Sequence, residues 1–330
     1  MTSMRRKGER GAILIGMLAF ISAVAALSVA MTEDMRTGAR EASLASAATQ
    51  GFFYAVGVEE MTADILSRSR IANDGRDTLE DAWLRAPMRF PIENGLIEAE
   101  IADGGNCFNL NSLVSGDPRS RLIADPVARE EFLRLLGHLE IAPDEADRIA
   151  AAIVDYLDSD SAPTAGGAED EVYLARAEPG RTPGTLLADR GEIRAVEGME
   201  DDLYRRLAPF LCALPGTERS RLNINTLRPE QAPLLAALLG PGLSLATAQG
   251  LITDRPRTGY ASREAFLDHP ALRAFALGQE SAERLDVRTH FYRLEALIRY
   301  GETRLALATL FEARANGEVR RLSRHFGADL

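Results

Sequence analysis

The chain has 330 residues, of which 46% are hydrophobic, and its formal net charge is −11 at pH 7. A chain of this length and composition can bury a sizeable core, which excludes a disordered polypeptide. The acidic balance argues against broad nucleic-acid binding, because contacts to phosphate require clustered Lys and Arg.

The N-terminus carries a basic cluster that is followed by an apolar run. Residues 12–31 contain no charged side chain and come directly after Arg5, Arg6, Lys7 and Arg10. About 20 residues of helix span roughly 30 Å, the thickness of a bilayer core. The positive-inside tendency leaves the basic cluster in the cytoplasm. With no second run of this length, the sequence predicts a single-pass protein of the cell inner membrane whose C-terminal domain is periplasmic.

Three interpretations of this run are open from its residues. It could be a buried helix of a soluble protein, a secretory signal cleaved after Ser28-Val29-Ala30, or a retained membrane helix. The retained helix is favoured because small and apolar side chains recur at helical spacing, without a proline, as far as Arg70. The basic head, Gly11, the apolar run and this amphipathic continuation together resemble a type IV prepilin leader. That resemblance implies cleavage by a prepilin peptidase between Gly11 and Ala12.

After the long helix, alternating apolar and polar residues predict strands in four segments: Arg89–Ile101, Val287–Tyr300, Arg304–Ala313 and Glu318–Ser323. The first segment surrounds the turn signal Asn94-Gly95 and predicts a β-hairpin, and a type I′ turn signal, Asn316-Gly317, precedes the last segment. Two isolated strands are only marginally stable. We therefore expect the strands near Ile97 and Ile298 to share one sheet.

Between these strands, Pro and Gly separate a series of short helical patterns. The region 115–285 is predicted to be all-α, with helices at Pro126–Leu139, Asp144–Leu157, Leu187–Val196, Asp201–Phe210, Pro229–Leu239, Leu245–Ile252 and Ser262–Phe266. The order of long helix, strands, helices and strands predicts the α+β class. In this arrangement an antiparallel sheet packs on the N-terminal helix, and a large all-α domain is inserted between its strands.

Two segments of the inserted region are similar to each other. Residues 107–113 (CFNLNSL) and 222–227 (LNINTL) place Asn around an apolar residue just before a helical pattern, where Asn can cap a helix or fix a turn. The second segment and the hairpin after it resemble helix-hairpin-helix proteins, which present backbone amides to DNA phosphate. The acidic chain and a hairpin at Pro241-Gly242 without an adjacent lysine favour a structural use. A membrane-anchored DNA-binding protein of a DNA-uptake system is the alternative.

Carboxylates are densest after the second predicted helix of the insert. Asp155, Asp158 and Asp160 are followed, across a loop that contains Pro and Gly, by Glu169 and Asp170. Carboxylates gathered on an irregular loop are the ligands that Ca²⁺ needs, although a solvated acidic loop has the same composition. Paired carboxylates could also serve a hydrolase. The sequence shows no catalytic signature, so we expect no enzymatic activity.

Several segments in combination resemble the K-type minor pseudopilins of type II secretion systems, and the match runs along essentially the whole chain. They are the leader with Gly16 where most such proteins carry Glu, and segments 107–113, 154–174, 187–199, 212–215 and 222–226. The resemblance implies a pilin-like scaffold with a SAM-like or helix-hairpin-helix-like insert. It also implies a place at the tip of the periplasmic pseudopilus, which supports export of folded proteins across the outer membrane. The implied partners are minor pseudopilins of the I and J types, with the H type as a further candidate.

The same resemblance implies domain limits: a leader over 1–11, a membrane helix over 12–31, the insert over 115–285, and pilin-like parts over 32–114 and 286–330. In ordinary pseudopilins the N-terminal Glu is thought to engage the free N-terminus of the preceding subunit. Gly16 cannot do so, which suits a subunit at the tip, where no subunit lies above it.

Two further site predictions accompany this resemblance. It implies structural Ca²⁺ at four acidic residues: Asp158, Asp160, Glu169 and Asp170. A disulfide between Cys107 and Cys212 is also predicted, and it would tie the sheet edge to the inserted domain. In the chain-entropy model, closing so long a loop contributes about 4 to 5 kcal/mol, less any strain.

Overall fold

The computed structural model describes residues 6–273, 275 and 277–327, with side chains from residue 12 onward. The first five residues of the predicted leader therefore lie outside the described residues. A single helix, α1 (Arg6–Ala72), passes through the apolar run and continues beyond it. Every residue from 12 to 46 is exposed. The helix ends where Asp74 and Gly75 adopt left-handed backbone conformations and the Gly75 N–H donates to the carbonyl oxygen of Arg70.

From Gly51 onward, one side of α1 packs on a sheet. The buried residues Ala55, Val58, Thr62 and Leu66 recur every three or four positions, which places them on one face of the helix. The remaining helices are short: α2 (Ala82–Arg85), α3 (Pro126–His138), α4 (Pro143–Leu157), α5 (Asp170–Leu174), α6 (Asp201–Leu207), α7 (Ala232–Leu239), α8 (Leu245–Thr253), α9 (Arg263–Leu267), α10 (Pro270–Arg273) and α11 (Gln279–Glu283).

The strands divide into one sheet and three short pairs. In chain order they are β1 (Met88–Ile92), β2 (Gly95–Asp103), β3 (Phe108–Asn109), β4 (Val114–Asp117), β5 (Arg121–Ala124), β6 (Leu211–Cys212), β7 (Leu222–Asn223), β8 (Leu285–Asp286), β9 (Phe291–Tyr300), β10 (Thr303–Ala313) and β11 (Val319–Phe326). The antiparallel sheet has the order β1-β2-β9-β10-β11, and the pairs are β3-β6, β4-β5 and β7-β8. Periodicity had not indicated these pairs, because two to four residues are too few to show alternation.

The predicted sharing of a sheet across the insertion is confirmed. Ile97 of β2 and Ile298 of β9 are direct partners in the antiparallel register, and both are buried. All residues between β2 and β9, here called the helical domain, are therefore inserted between two neighbouring strands. The apolar face of the sheet, including Leu294 and Phe311, packs on α1 and forms one core.

The helical domain has a separate core that extends from Phe108 to Val287. The predicted helices are confirmed to within a few residues, except that a 3₁₀ helix, Arg190–Ala195, occupies the predicted helix Leu187–Val196. The short helices α5, α10 and α11 were not predicted. The predicted type I′ turn at Asn316-Gly317 is wrong. That turn needs positive φ at both central residues, and only Gly317 has it, at 87°.

Candidate functional site

Three carboxylates of the helical domain converge on one point. Ligand oxygens of Asp158, Asp160 and Glu169 all lie within 4.8 Å of one another. Asp158 follows the last residue of α4, and Glu169 immediately precedes α5, so the loop between these helices closes on itself. We call these three residues the carboxylate cluster.

Asp155, in the last turn of α4, shapes this loop. Its carboxylate accepts a hydrogen bond from the backbone N–H of Thr164, with 3.1 Å to each oxygen. A Cβ at Gly167 would clash with the same carboxylate, so the loop can approach α4 only with glycine there. On the other side, the Ser159 hydroxyl accepts from the backbone N–H of Leu122 at 3.0 Å. These contacts hold the ends of the loop in place.

The carboxylate cluster lacks positive charge among the described residues that contact it. Asp158 and Glu169 are each 6% exposed. One oxygen of each, Oδ1 of Asp158 and Oε1 of Glu169, is buried without a hydrogen-bond partner in the described part of the chain. Burial, together with repulsion from neighbouring carboxylates, raises the pKa of Asp158 to about 6 and that of Glu169 to about 7. Buried and unpaired carboxylate oxygens fit a hard divalent cation such as Ca²⁺.

The fourth predicted ligand, Asp170, is directed elsewhere. Its Oδ2 accepts from Arg181 Nη1 at 2.9 Å, and its Oδ1 accepts from the Thr182 backbone N–H at 2.9 Å. The structure therefore brings together three of the four predicted residues. Asp170 and Glu169 are adjacent in sequence, but Asp170 is the first residue of α5 and its side chain turns toward the loop at 181–182.

Cys107 and Cys212 are joined by a disulfide, with 5.8 Å between their Cα atoms. The bond lies beside the parallel pair β3-β6, in which Asn109 is the partner of Cys212. Cys107 comes four residues after β2 ends, so the disulfide and this strand pair connect the start of the helical domain, next to the sheet, to its interior.

The two similar Asn segments perform the same structural task. Asn111 accepts from the backbone N–H of Leu187 at 2.8 Å and donates to its carbonyl oxygen at 2.9 Å. Asn225 makes the same two bonds to Tyr260, at 2.7 and 3.0 Å. Both Asn side chains are buried. Each amide therefore replaces a strand partner for one remote residue, and neither is available to a nucleic acid.

Asn223 and Asn106 connect the two segments to the sheet core. The Asn223 backbone N–H donates to Asn106 Oδ1 at 2.8 Å, and its side chain donates to Thr289 Oγ1 at 3.0 Å. Thr289 in turn donates to Asp103 Oδ2 at 2.6 Å, at the end of β2. Sequence reasoning missed this buried polar network, since its hydrogen bonds join residues that are 66 to 186 positions apart along the chain.

The N-terminal part of α1 has the properties of a membrane span. Among the described residues, α1 is the one helix long and apolar enough to cross a membrane. No residue of its most apolar stretch is buried within the chain. A Cβ at Gly16 would meet no atom within 4 Å, so no packing within the chain requires glycine at that position.

Comparison with known proteins connects these features. Two family models, both described as type II secretion system (T2SS), protein K, match residues 106–216 and 222–288. The type II secretion system protein K of Pectobacterium carotovorum subsp. carotovorum is 34% identical over 302 residues, which cover 90% of each chain. That of Klebsiella pneumoniae is 37% identical over 265 residues, which cover 80% of each chain. The two matched ranges each contain one of the Asn segments.

A solved structure extends this comparison to the fold. The match is to the crystal structure of the GspK-GspI-GspJ complex from the enterotoxigenic Escherichia coli type 2 secretion system, with a TM-score of 0.73 and 30% sequence identity. It covers 85% of the chain described above and 97% of the other chain. The match therefore extends well beyond the two ranges of the family models and supports the α+β fold.

Proposed function

The chain belongs to the type II secretion system protein K family, and we propose that it forms the tip of the periplasmic pseudopilus as a minor pseudopilin. The comparisons give no support to the DNA-uptake alternative. In this proposal the protein has no catalytic role, and its function is carried by a membrane-anchored helix and by the surfaces that contact other subunits.

The observation that carries the tip assignment is the position of the helical domain. It is inserted between β2 and β9, which are adjacent in the sheet that packs on α1. A helix with a small sheet can be surrounded by similar subunits in a filament. A second domain with its own core, attached to that sheet, obstructs the addition of another subunit beyond it. This geometry suits the last subunit of an assembly.

The N-terminal helix supports the same proposal. Gly16 has free space around it, so the absence of Glu there is not a consequence of packing. A tip subunit has no neighbour above it that such a Glu would contact. We place the apolar part of α1 in the inner membrane with the basic N-terminus in the cytoplasm, because positively charged flanks remain on that side. Cleavage by a prepilin peptidase between Gly11 and Ala12 belongs to this proposal.

The proposed partners are the I-type and J-type minor pseudopilins, as in the complex of the related protein from Escherichia coli. The H type is a further candidate. A complex of this kind explains how one chain with a single membrane span could be held at the tip of a filament.

Within the helical domain, we propose that the carboxylate cluster holds a structural Ca²⁺. The residues that would bind it are Asp158, Asp160 and Glu169. When bound, the cation would neutralise the mutual repulsion of these carboxylates. The unpaired oxygens of Asp158 and Glu169 support this assignment, since an unpaired buried carboxylate is costly.

The test combines processing and assembly in the native membrane. The full chain, with a C-terminal tag, is produced with the prepilin peptidase and the I-type and J-type pseudopilins of the same genome. We expect a mature N-terminus at Ala12 and recovery of both pseudopilins with the tagged chain. A Gly11→Leu variant should keep the leader, and a deletion strain carrying it should not regain secretion. An N-terminus after Ala30, or recovery of neither pseudopilin, would refute the proposal.

A further inference from the structure

Three phenylalanines form an exposed group where α1 first meets the sheet. Phe52 and Phe53 lie on α1, and Phe326 is the last residue of β11. The ring centroids of Phe52 are 6.0 Å from Phe53 and 5.5 Å from Phe326. Their exposed fractions are 40%, 63% and 41%, respectively. Single exposed apolar residues need no explanation, whereas a contiguous aromatic group marks an interaction surface. We call these three residues the aromatic patch.

The aromatic patch is held in place by a buried ion cluster. The guanidinium of Arg324 lies 5.8 Å from the ring centroid of Phe52 and 5.7 Å from that of Phe326. Its Nε donates to Oε1 of Glu59 at 2.9 Å, and Glu59 is only 1% exposed. Because Glu59 is on α1 and Arg324 is on β11, this ion pair fixes both sides of the patch. A surface that is rigid before binding loses little conformational entropy on binding.

Lipid cannot cover the aromatic patch while α1 crosses the bilayer. Phe52 is about 20 residues beyond Met31, which corresponds to roughly 30 Å along a helix that rises 1.5 Å per residue. Residues 32–46 of the intervening segment are exposed on all sides and include charged residues of both signs. A second helix that starts in the same membrane and runs beside α1 reaches the patch at the same height.

Resting on the proposed function, we infer that the aromatic patch docks the N-terminal helix of a second minor pseudopilin, parallel to α1. The charge of Arg324 is already compensated by Glu59. The patch therefore needs no acidic partner, and apolar side chains are its complementary contacts. The patch also continues the uncovered surface of α1 that emerges from the membrane. A partner helix on this flank is therefore in contact with α1 both where α1 emerges from the membrane and at the aromatic patch.

The inference specifies one flank of α1, and the opposite flank supplies a matched control. Met61 is nine residues beyond Phe52, which is half a turn further around the helix. It is 36% exposed, similar to Phe52. A contact with the partner helix at the aromatic patch places that helix away from Met61.

Photo-crosslinking in the full chain tests this placement. Phe52, or Met61 in the control, is replaced by benzoylphenylalanine in the tagged chain, which is produced with the I-type and J-type pseudopilins. After irradiation of membranes, we expect Phe52 to give an adduct with the mass of one of these pseudopilins, and Met61 to give at least tenfold less. Phe53→Ala should lower the amount of co-purified pseudopilin about tenfold, as for a central aromatic contact. Phe53 is largely exposed, so this variant should keep its fold.

The two possible failures are distinguishable. If both pseudopilins co-purify but the adduct forms at Met61, or Phe52 gives only lipid adducts, no adduct or an adduct with an unrelated protein, the docking surface is wrong and the proposed function stands. If the unmodified chain recovers no pseudopilin, the proposed function fails and this inference fails with it. A Phe53→Ala variant that co-purifies as well as Met61→Ala also overturns the inference.

Discussion

Removal of the charge at Glu59 should weaken the attachment of α1 to the sheet. Glu59 accepts hydrogen bonds from Thr309 Oγ1 at 2.6 Å, Arg321 Nη1 at 2.9 Å and Arg324 Nε at 2.9 Å. Burial alone raises its pKa, but the bonds from Arg324 and Thr309 hold the pKa below its usual value of 4.5. The carboxylate is therefore ionised at neutral pH and joins three strand residues to the helix.

The loss of stability depends on whether the guanidinium charges that Glu59 had compensated stay buried after the change. Breaking a buried ion pair costs about 3 to 5 kcal/mol when the remaining charge stays buried. Here the side chains of Arg321 and Arg324 are 41% and 21% exposed, so water can hydrate both after the change. We therefore expect Glu59→Gln to lower the free energy of unfolding of the sheet core by about 2 to 3 kcal/mol at pH 7. The neighbouring exposed Glu60 provides a control, and Glu60→Gln should have almost no effect.

The single tryptophan makes this measurement specific. Trp83 is buried in the sheet core, with its ring edge-on to Tyr292. Its fluorescence during urea unfolding of the detergent-solubilised chain reports on that core and not on the helical domain. With a urea dependence of about 1 to 3 kcal/mol per M, the midpoint should fall by roughly 1 M or more.

The pH dependence has a defined sign. A group whose pKa is lower in the folded state stabilises the fold above its unfolded pKa, and this contribution is lost as pH falls through the folded value. The difference between the wild-type chain and Glu59→Gln should therefore be constant above about pH 5 and shrink as the pH falls below 4.5. The reasoning is refuted if Glu59→Gln and Glu60→Gln have the same midpoint at pH 7, or if the difference persists unchanged at pH 3.

Four other changes test the remaining assignments. Without calcium, the raised pKa values of Asp158 and Glu169 make their contribution to stability fall as pH rises through 6 to 7, so added Ca²⁺ should raise the Tm at pH 8 and not at pH 5. In calorimetric titration, Asp158→Asn should weaken Ca²⁺ binding at least tenfold, whereas equal losses in Asp158→Asn and Asp170→Asn would restore the four-residue set. Cys212→Ser should destabilise the helical domain by about 4 to 5 kcal/mol in thermal melts, and two free thiols in the native chain by intact mass would contradict the disulfide. Asn225→Ala should cost about 2 to 4 kcal/mol by denaturant titration, because it leaves the backbone N–H and carbonyl of a buried residue unpaired; an unchanged midpoint would contradict that role.

The sequence by itself determined the longer helices and strands and their order. The apolar run, the helical spacing up to Arg70 and the alternation around Ile97 and Ile298 are local patterns, and local patterns depend only on which side of a helix or strand is buried. The shared sheet also followed, because a hairpin too small to be stable alone must find partners further along the chain. The density of carboxylates located the acidic loop, and the K-type resemblance, carried by several short segments in combination, implied Ca²⁺ at four of its residues.

Only the tertiary structure decided which side chains meet. Asp158, Asp160 and Glu169 converge, but Asp170 does not, because the start of α5 turns its side chain toward Thr182. The pairing of Glu59 with Arg324 spans 265 residues. The paired tasks of Asn111 and Asn225 likewise depend on residues 76 and 35 positions away. Contacts of this kind leave no periodic trace in a sequence, since they depend on how separate elements are oriented in space and not on the spacing within any one of them.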